Sequence, residues 1–144
     1  YDGLIPRLIP RYGEQHDLIL QLIPFESNAN IKVLDLGAGT GILSALILPA
    51  FPQANVTAFD MAENMLKVCQ TNLSAFRERL TLQQGNFAED DFGSGYDLIV
   101  SGLAIHHLDG KGKQTLFQKL FRSMNSGGIL LIRDIVTGAT PPLT

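Results

Sequence analysis

Residues 33–45 read VLDLGAGTGILSA: an apolar run, then Gly37, Gly39 and Gly41 within five positions, then renewed apolar spacing. Glycine in that density gives up packing and costs backbone entropy, so the bend must serve an unusual backbone path or a close approach by something else. A strand that enters such a bend and leaves it as a helix is half of a strand–helix–strand crossover. The rest of the chain repeats the alternation. Short β-branched or apolar runs lie at 31–36 (IKVLDL), 54–59 (ANVTAF), 80–83 (LTLQ), 96–101 (YDLIVS) and 128–135 (GILLIRDI). Between them, 42–50, 61–76 and 111–124 carry helical spacing.

The second of these helices is expected to bury Met61, Met65, Leu66, Val68, Cys69 and Leu73, and the third Leu116, Phe117, Leu120, Phe121 and Met124, with 125–128 as its stop. An earlier helix is expected over 13–22, ended by Pro24; the glycine- and acid-rich 86–95 is left without a helix. Right-handed crossovers then give an α/β fold, a Rossmann-like doubly wound and mostly parallel sheet with helices on both faces. In such a sheet a ligand binds beyond the carboxyl ends of the strands, where strand order reverses. The glycine bend stands at the end of the first strand.

At 144 residues the chain suits one domain and one core. Net charge is −3 and no basic cluster stands out, so nucleic acid is not invited by electrostatics, although a further domain could supply the charge. Cys69 is the single cysteine, which rules out an internal disulfide and suits a reducing, cytoplasmic setting. No apolar run approaches the roughly 18 residues of a membrane span, and no signal peptide is visible. The chain begins at Tyr1 and stops at TGATPPLT soon after a strand-like run, so both ends read as cut from something longer.

Several ligands are excluded by the bend itself. The dinucleotide pattern G-x-G-x-x-G needs its third glycine at position 42, which is Ile42; here the spacing is G-x-G-x-G. No Gly-Lys-Ser/Thr follows, which excludes Walker-type phosphate binding. Asp35, two residues ahead of Gly37, would oppose a pyrophosphate and suits a ligand carrying positive charge.

VLDLGAGTG resembles the first motif of the class I S-adenosylmethionine-dependent methyltransferases, and further motifs follow in order: AFDMAENML, QGNF, YDLIVSGLAIHHL and MNSGGILLI. The resemblance runs from about residue 31 to 135. The leader YDGLIPRLIPRYGEQHDLIL is similar to that of the small methyltransferases grouped with the carboxy-S-adenosylmethionine synthases. The resemblance implies two parts: a leader over 1–30 that covers the cofactor, with Tyr12 as its aromatic residue, and a cofactor-binding core over 31–144. Full members have two more strands, so the sheet is expected to be truncated after the fifth. The edge of that strand would then be bare, and is expected to be covered by the leader or by a second copy in a homodimer.

The resemblance also assigns roles, each with a structural alternative. Gly37, Ala38, Gly39 and Gly41 meet the cofactor with bare backbone. Asp35 orients the bend or meets the cofactor's amino group, or is simply a buried carboxylate satisfied by loop N–H groups. Asp60, 23 residues after Gly37, offers two acceptors to the ribose diol; with Glu63 it also matches a helix capping box. Met61 lies on the adenine face or in the core. Asn86 stands where the family usually has an aspartate that accepts from the adenine amino group, and Phe87 offers a backbone N–H to an adenine ring nitrogen; alternatively this pair is a plain turn. Ser101, with Gly102, lies under the methionine portion by its backbone, or is a plain strand end. His106 is the candidate base, or part of a helix-entry turn.

The implied function is methyl transfer from S-adenosylmethionine to a small-molecule acceptor, leaving S-adenosylhomocysteine. No metal is called for. Orientation of the nucleophile in line with the S–CH₃ bond supplies roughly 7–11 kcal/mol, so no strong base is obligatory. The alternatives are a non-catalytic S-adenosylmethionine-binding module and an enzyme that modifies S-adenosylmethionine itself.

Overall fold

A computed structural model describes residues 2–3, 5–6, 20–102 and 110–132. Five strands form one sheet: β1 (Lys32–Leu36), β2 (Asn55–Asp60), β3 (Leu80–Gln84), β4 (Tyr96–Ser101) and β5 (Met124–Ile132). Their order is β3-β2-β1-β4-β5 and every pairing is parallel. Order reverses at β1, which lies between β2 and β4, so the expected doubly wound arrangement is present. Asp2–Gly3 pairs antiparallel with Ile5–Pro6 outside this sheet. Residues 20–22 are helical and end before Pro24 as expected, while the start of that helix lies outside the described residues.

The side-chain period of two divides the core. Val33, Val56, Ala58, Leu98 and Val100 face α1 (Ile42–Ala50) and α2 (Glu63–Asn72), against Leu43, Ile47, Leu48, Cys69 and Leu73. Leu34, Leu36, Phe59 and Ile99 face the opposite way, against Leu116 and Leu120 of α3 (Gly110–Ser123). Because both faces are covered, β1 is buried from Val33 to Leu36, an apolar run broken only by Asp35 after the exposed Lys32 at its start. α3 opens with Gly-Lys-Gly-Lys, a weak start for a helix. Burial of Leu116 and Leu120, about 1.5–3 kcal/mol each, holds it on the sheet.

Three local expectations are corrected. Along α2 and its flanks, Leu66, Cys69 and Leu73 are buried, while Met61, Met65 and Val68 are 62%, 45% and 44% exposed. The two sets follow adjacent helical rows, and only one row meets the sheet. On α3, Phe121 is likewise exposed, one row away from Leu116 and Leu120. The fifth strand begins at Met124 immediately after α3, earlier than expected, with an irregular register: Tyr96 pairs with Met124, but Leu98 pairs with Ile129. Gly127, at φ 81°, lets the extra residues of 125–128 bulge out of the ladder. A 3₁₀ segment, Ser74–Arg79, continues the chain beyond α2.

Candidate cofactor site

The bend between β1 and α1 is shaped by three left-handed residues, Gly37 (φ 72°), Gly39 (φ 58°) and Gly41 (φ 91°). β2 holds it from one side, since the Phe59 carbonyl accepts both the Gly37 N–H (2.7 Å) and the Ala38 N–H (3.0 Å). α2 holds it from the other, where Asn72 Nδ2 donates to the Thr40 carbonyl at 3.1 Å. The glycines then differ in what surrounds them. A Cβ on Gly41 would lie 2.8 Å from Cys69 Sγ and 2.9 Å from Leu73 Cδ1, so this glycine lets α2 close against the helix start. A Cβ on Gly39 would meet nothing within 4 Å. Gly39 therefore presents bare backbone to open space at the carboxyl end of the sheet.

Asp60, the last residue of β2, is turned toward that space. Its Oδ2 accepts the Gly39 N–H at 2.8 Å and its Oδ1 accepts the Ala62 N–H at 2.8 Å. The capping box with Glu63 does not form. The residue at the N-cap of α2 is Ala62, without a side-chain cap, and Asp60 makes the local turn ahead of it. A carboxylate has about four acceptor positions and these two bonds use two, so one direction on each oxygen remains for a hydroxyl pair.

Asp35 is buried beneath the bend. Its Oδ2 accepts the Ser44 hydroxyl (2.7 Å) and the Ser44 N–H (3.2 Å), tying the end of β1 to the first turn of α1. These bonds join strand to helix, and an acidic group near a helix N-terminus is favoured by the helix dipole. Burial first, then the charges of Asp35 and Asp60, push the Cys69 thiol up to about 11, so it stays neutral at physiological pH. Ser101, at the end of β4, is buried with its Oγ donating to the Leu36 carbonyl at 2.9 Å. It locks together the ends of the two strands at which the sheet order reverses.

Met61 is no core residue: at 62% exposure it offers an apolar surface beside Asp60. Asn86 follows β3 and forms a tight turn. Its Oδ1 accepts the Ala88 N–H at 2.9 Å, and Asp90 Oδ2 accepts the Asn86 N–H at 2.8 Å. The turn reading of Asn86 is thus realised, with one lone pair of the amide oxygen already engaged. Phe87 packs partly buried against the core on the α3 side. Its carbonyl accepts Lys119 Nζ at 3.1 Å. Tyr12 and His106 lie outside the described residues. Sequence reasoning passed over Ser44, Asn72 and Lys119, whose bonds to Asp35, Thr40 and Phe87 join different elements; no local pattern announces such contacts.

Comparison with known proteins agrees with this fold. A family model described as a methyltransferase domain matches residues 33–128. The chain is 26% identical to a carboxy-S-adenosyl-L-methionine synthase from Campylobacter lari, covering 93% of this chain and 57% of that protein. It is 30% identical to a malonyl-[acyl-carrier protein] O-methyltransferase from Priestia megaterium, covering 85% of this chain and 43% of that one. The chain thus spans about half the length of these relatives. The fold is also that of the glycopeptide N-methyltransferase MtfA, solved in complex with S-adenosylmethionine, with a TM-score of 0.67 and 22% identity over 83% of this chain and 48% of MtfA. The matched residues run from β1 through the bend and Asp60 to the start of β5, and the chain belongs to the methyltransferase-domain family.

Proposed function

We propose that this chain binds S-adenosylmethionine at the Gly39–Asp60 hollow and transfers its methyl group to a small-molecule acceptor. One observation carries the reading. Asp60 bonds to the Gly39 N–H at 2.8 Å while the space over Gly39 is open, so an acceptor for a sugar diol borders bare backbone at the switch point of the sheet. Asp60 holds the ribose hydroxyls through its remaining acceptor positions. Met61 covers an adenine face, and Phe87 supplies a backbone N–H to the ring. Gly37, Ala38, Gly39 and the Ser101–Gly102 strand end border the amino-acid portion, with Asp35 fixing the bend from below.

When bound, the sulfonium supplies a methyl group already activated for transfer. The chain's own work is to orient the acceptor and exclude water. The leader over 1–30 closes the site with Tyr12, and His106 takes a proton from acceptors that need to lose one. The buried, neutral Cys69 suits a reducing cytoplasm. Among the described residues no helix is long and apolar enough to cross a membrane, and no His, Cys, Asp and Glu group is arranged to hold a metal ion. Family membership favours methyl transfer over a silent binding module or modification of the cofactor itself.

The test is calorimetry of the folded chain with S-adenosylmethionine and S-adenosylhomocysteine, followed by radiolabelled methyl transfer to a metabolite pool. Binding of both, and label in a small molecule, is expected. A folded chain that takes up neither nucleoside would overturn the reading.

A further inference from the structure

The chain holds four sulfur-bearing side chains, one cysteine and three methionines, and the fold treats them unequally. Cys69 is fully buried beside the start of α1, where burial and then the charges of Asp35 and Asp60 keep its thiol protonated and unreactive. Met124 packs partly buried against the core on the α3 side. Met61 and Met65 differ from both: more than half of the first and nearly half of the second is open to solvent. Met65 lies in the first turn of α2, and Met61 stands just ahead of its N-cap, next to Asp60.

The main chain at Met61 is held while its side chain is not. Both sides of the Met61–Ala62 peptide are engaged. Asp60 Oδ1 accepts the Ala62 N–H at 2.8 Å, and the Met61 carbonyl accepts Gln84 Nε2 at 3.3 Å. Asp60 Oδ2 in turn accepts the Gly39 N–H at 2.8 Å. A chemical change at the exposed thioether therefore stays beside the hollow and is not carried away by a shifting loop.

We infer that Met61 is a site of reversible oxidation by hydrogen peroxide, and that its sulfoxide weakens cofactor binding. The inference rests on the proposed cofactor reading, in which Met61 covers an adenine face. In the step, the sulfur lone pair attacks one peroxide oxygen; an S–O bond forms as the O–O bond breaks. The departing hydroxide takes the remaining proton and leaves as water. Sulfur loses two electrons and the peroxide gains them. The product is a polar side chain whose oxygen accepts hydrogen bonds. Pressed on the apolar face of a base, that oxygen loses its water and meets no donor, with the Asp60 carboxylate as a further acceptor beside it. The coupling is reciprocal: a base that covers the sulfur also shields it from the oxidant.

The experiment treats the folded chain with hydrogen peroxide, with and without S-adenosylmethionine, whose positive sulfur resists the oxidant. Peptide mass spectrometry follows each methionine. At a cofactor concentration of about 100 times its Kd, Met61 should oxidise at least about tenfold more slowly, while Met65 changes less than about twofold. After catalase removes the peroxide, calorimetry should show S-adenosylmethionine bound about tenfold more weakly, the effect of one acceptor left unpaired. Methionine sulfoxide reductases, supplied with a dithiol as reductant, should restore the affinity. Met61→Leu, compared with its own untreated affinity, should lose the sensitivity to peroxide, and Met65→Leu should keep it. Met61 oxidised without loss of affinity, or at the same rate with cofactor bound, overturns the inference and leaves the cofactor reading intact. An untreated, folded chain that takes up no S-adenosylmethionine overturns both. Should circular dichroism show that peroxide unfolds the chain, Met61→Gln carries the same test without an oxidant. Binding about tenfold weaker than in Met61→Leu supports the inference, and equal binding overturns it.

Discussion

The two ends of the sheet both carry a carboxylate held by hydrogen bonds, yet their surroundings differ. At the amino end, a depression is lined by the polar residues Asn30, Lys32, Asn55, Thr57, Thr81 and Asp97. Asp97 accepts the Lys32 N–H and the Asn125 amide, each at 2.9 Å. Lys32 Nζ donates to the Ser94 carbonyl at 2.6 Å and lies over the Tyr96 ring. At the carboxyl end, Asp60 likewise makes two bonds, but one of them is to Gly39, at which an added Cβ would meet nothing within 4 Å. A depression is thus no sign of a binding site. Nor is a carboxylate with two bonds, which both ends have; the sign is such a carboxylate beside an open glycine backbone where the strand order reverses.

The sharpest way to break this contrast is a pair of alanines. Asp60→Ala should weaken S-adenosylhomocysteine binding on the order of 100-fold, from the lost bonds of a charged acceptor. Asp97→Ala, at the other end, should leave that affinity unchanged; equal losses in calorimetry would erase the distinction.

Next comes a stability effect without a binding effect. Arg79 donates to the carbonyls of Leu48 (2.9 Å), Phe51 (3.2 Å) and Ala54 (2.8 Å), closing the end of α1 near the start of β2. Arg79→Ala should cost about 2–4 kcal/mol of unfolding free energy, read by urea titration. Arg79→Lys should recover little, because a point charge does not span three carbonyls.

Within the bend itself the two glycines should separate. Gly41→Ala meets Cys69 and Leu73 as well as an unfavourable φ, and should destabilise by about 2–3 kcal/mol. Gly39→Ala meets only the φ penalty, about 1–2 kcal/mol, yet should reduce cofactor affinity more than Gly41→Ala does relative to its stability loss. Thermal melts beside calorimetry decide between them.

The last effect is a pH slope, absent at neutral pH. Because folding raises the Cys69 thiol from 9.0 to about 11, the unfolded chain loses its proton first. The stabilisation is full below pH 9 and falls away as pH rises through 9 to 11. Urea midpoints of the wild type should therefore fall more steeply over that range than those of Cys69→Ala.

Much of the fold was legible in the residues because it rests on local pattern. The period-two runs, the helical rows and the glycine bend each carry their geometry within about ten residues, and the strand–helix alternation then limits the topology. The errors fell where two local readings tie. Met65 and Leu66 are equally apolar, and only contact with the sheet decides which row of α2 is buried. Likewise Gly39 and Gly41 look alike in sequence and differ by what lies across from them.

The chain alone therefore settled the parallel α/β scaffold, the place of the bend and the acid one strand over, since each follows from backbone sterics and spacing. Tertiary structure alone decided which groups remain open to a ligand. Asp60 reaches Gly39 across 21 residues, Lys119 reaches Phe87 across 32 and Asn72 reaches Thr40 across 32. Such bonds depend on how separate elements dock, and docking is set by the summed burial of two core faces, which no short stretch of sequence contains.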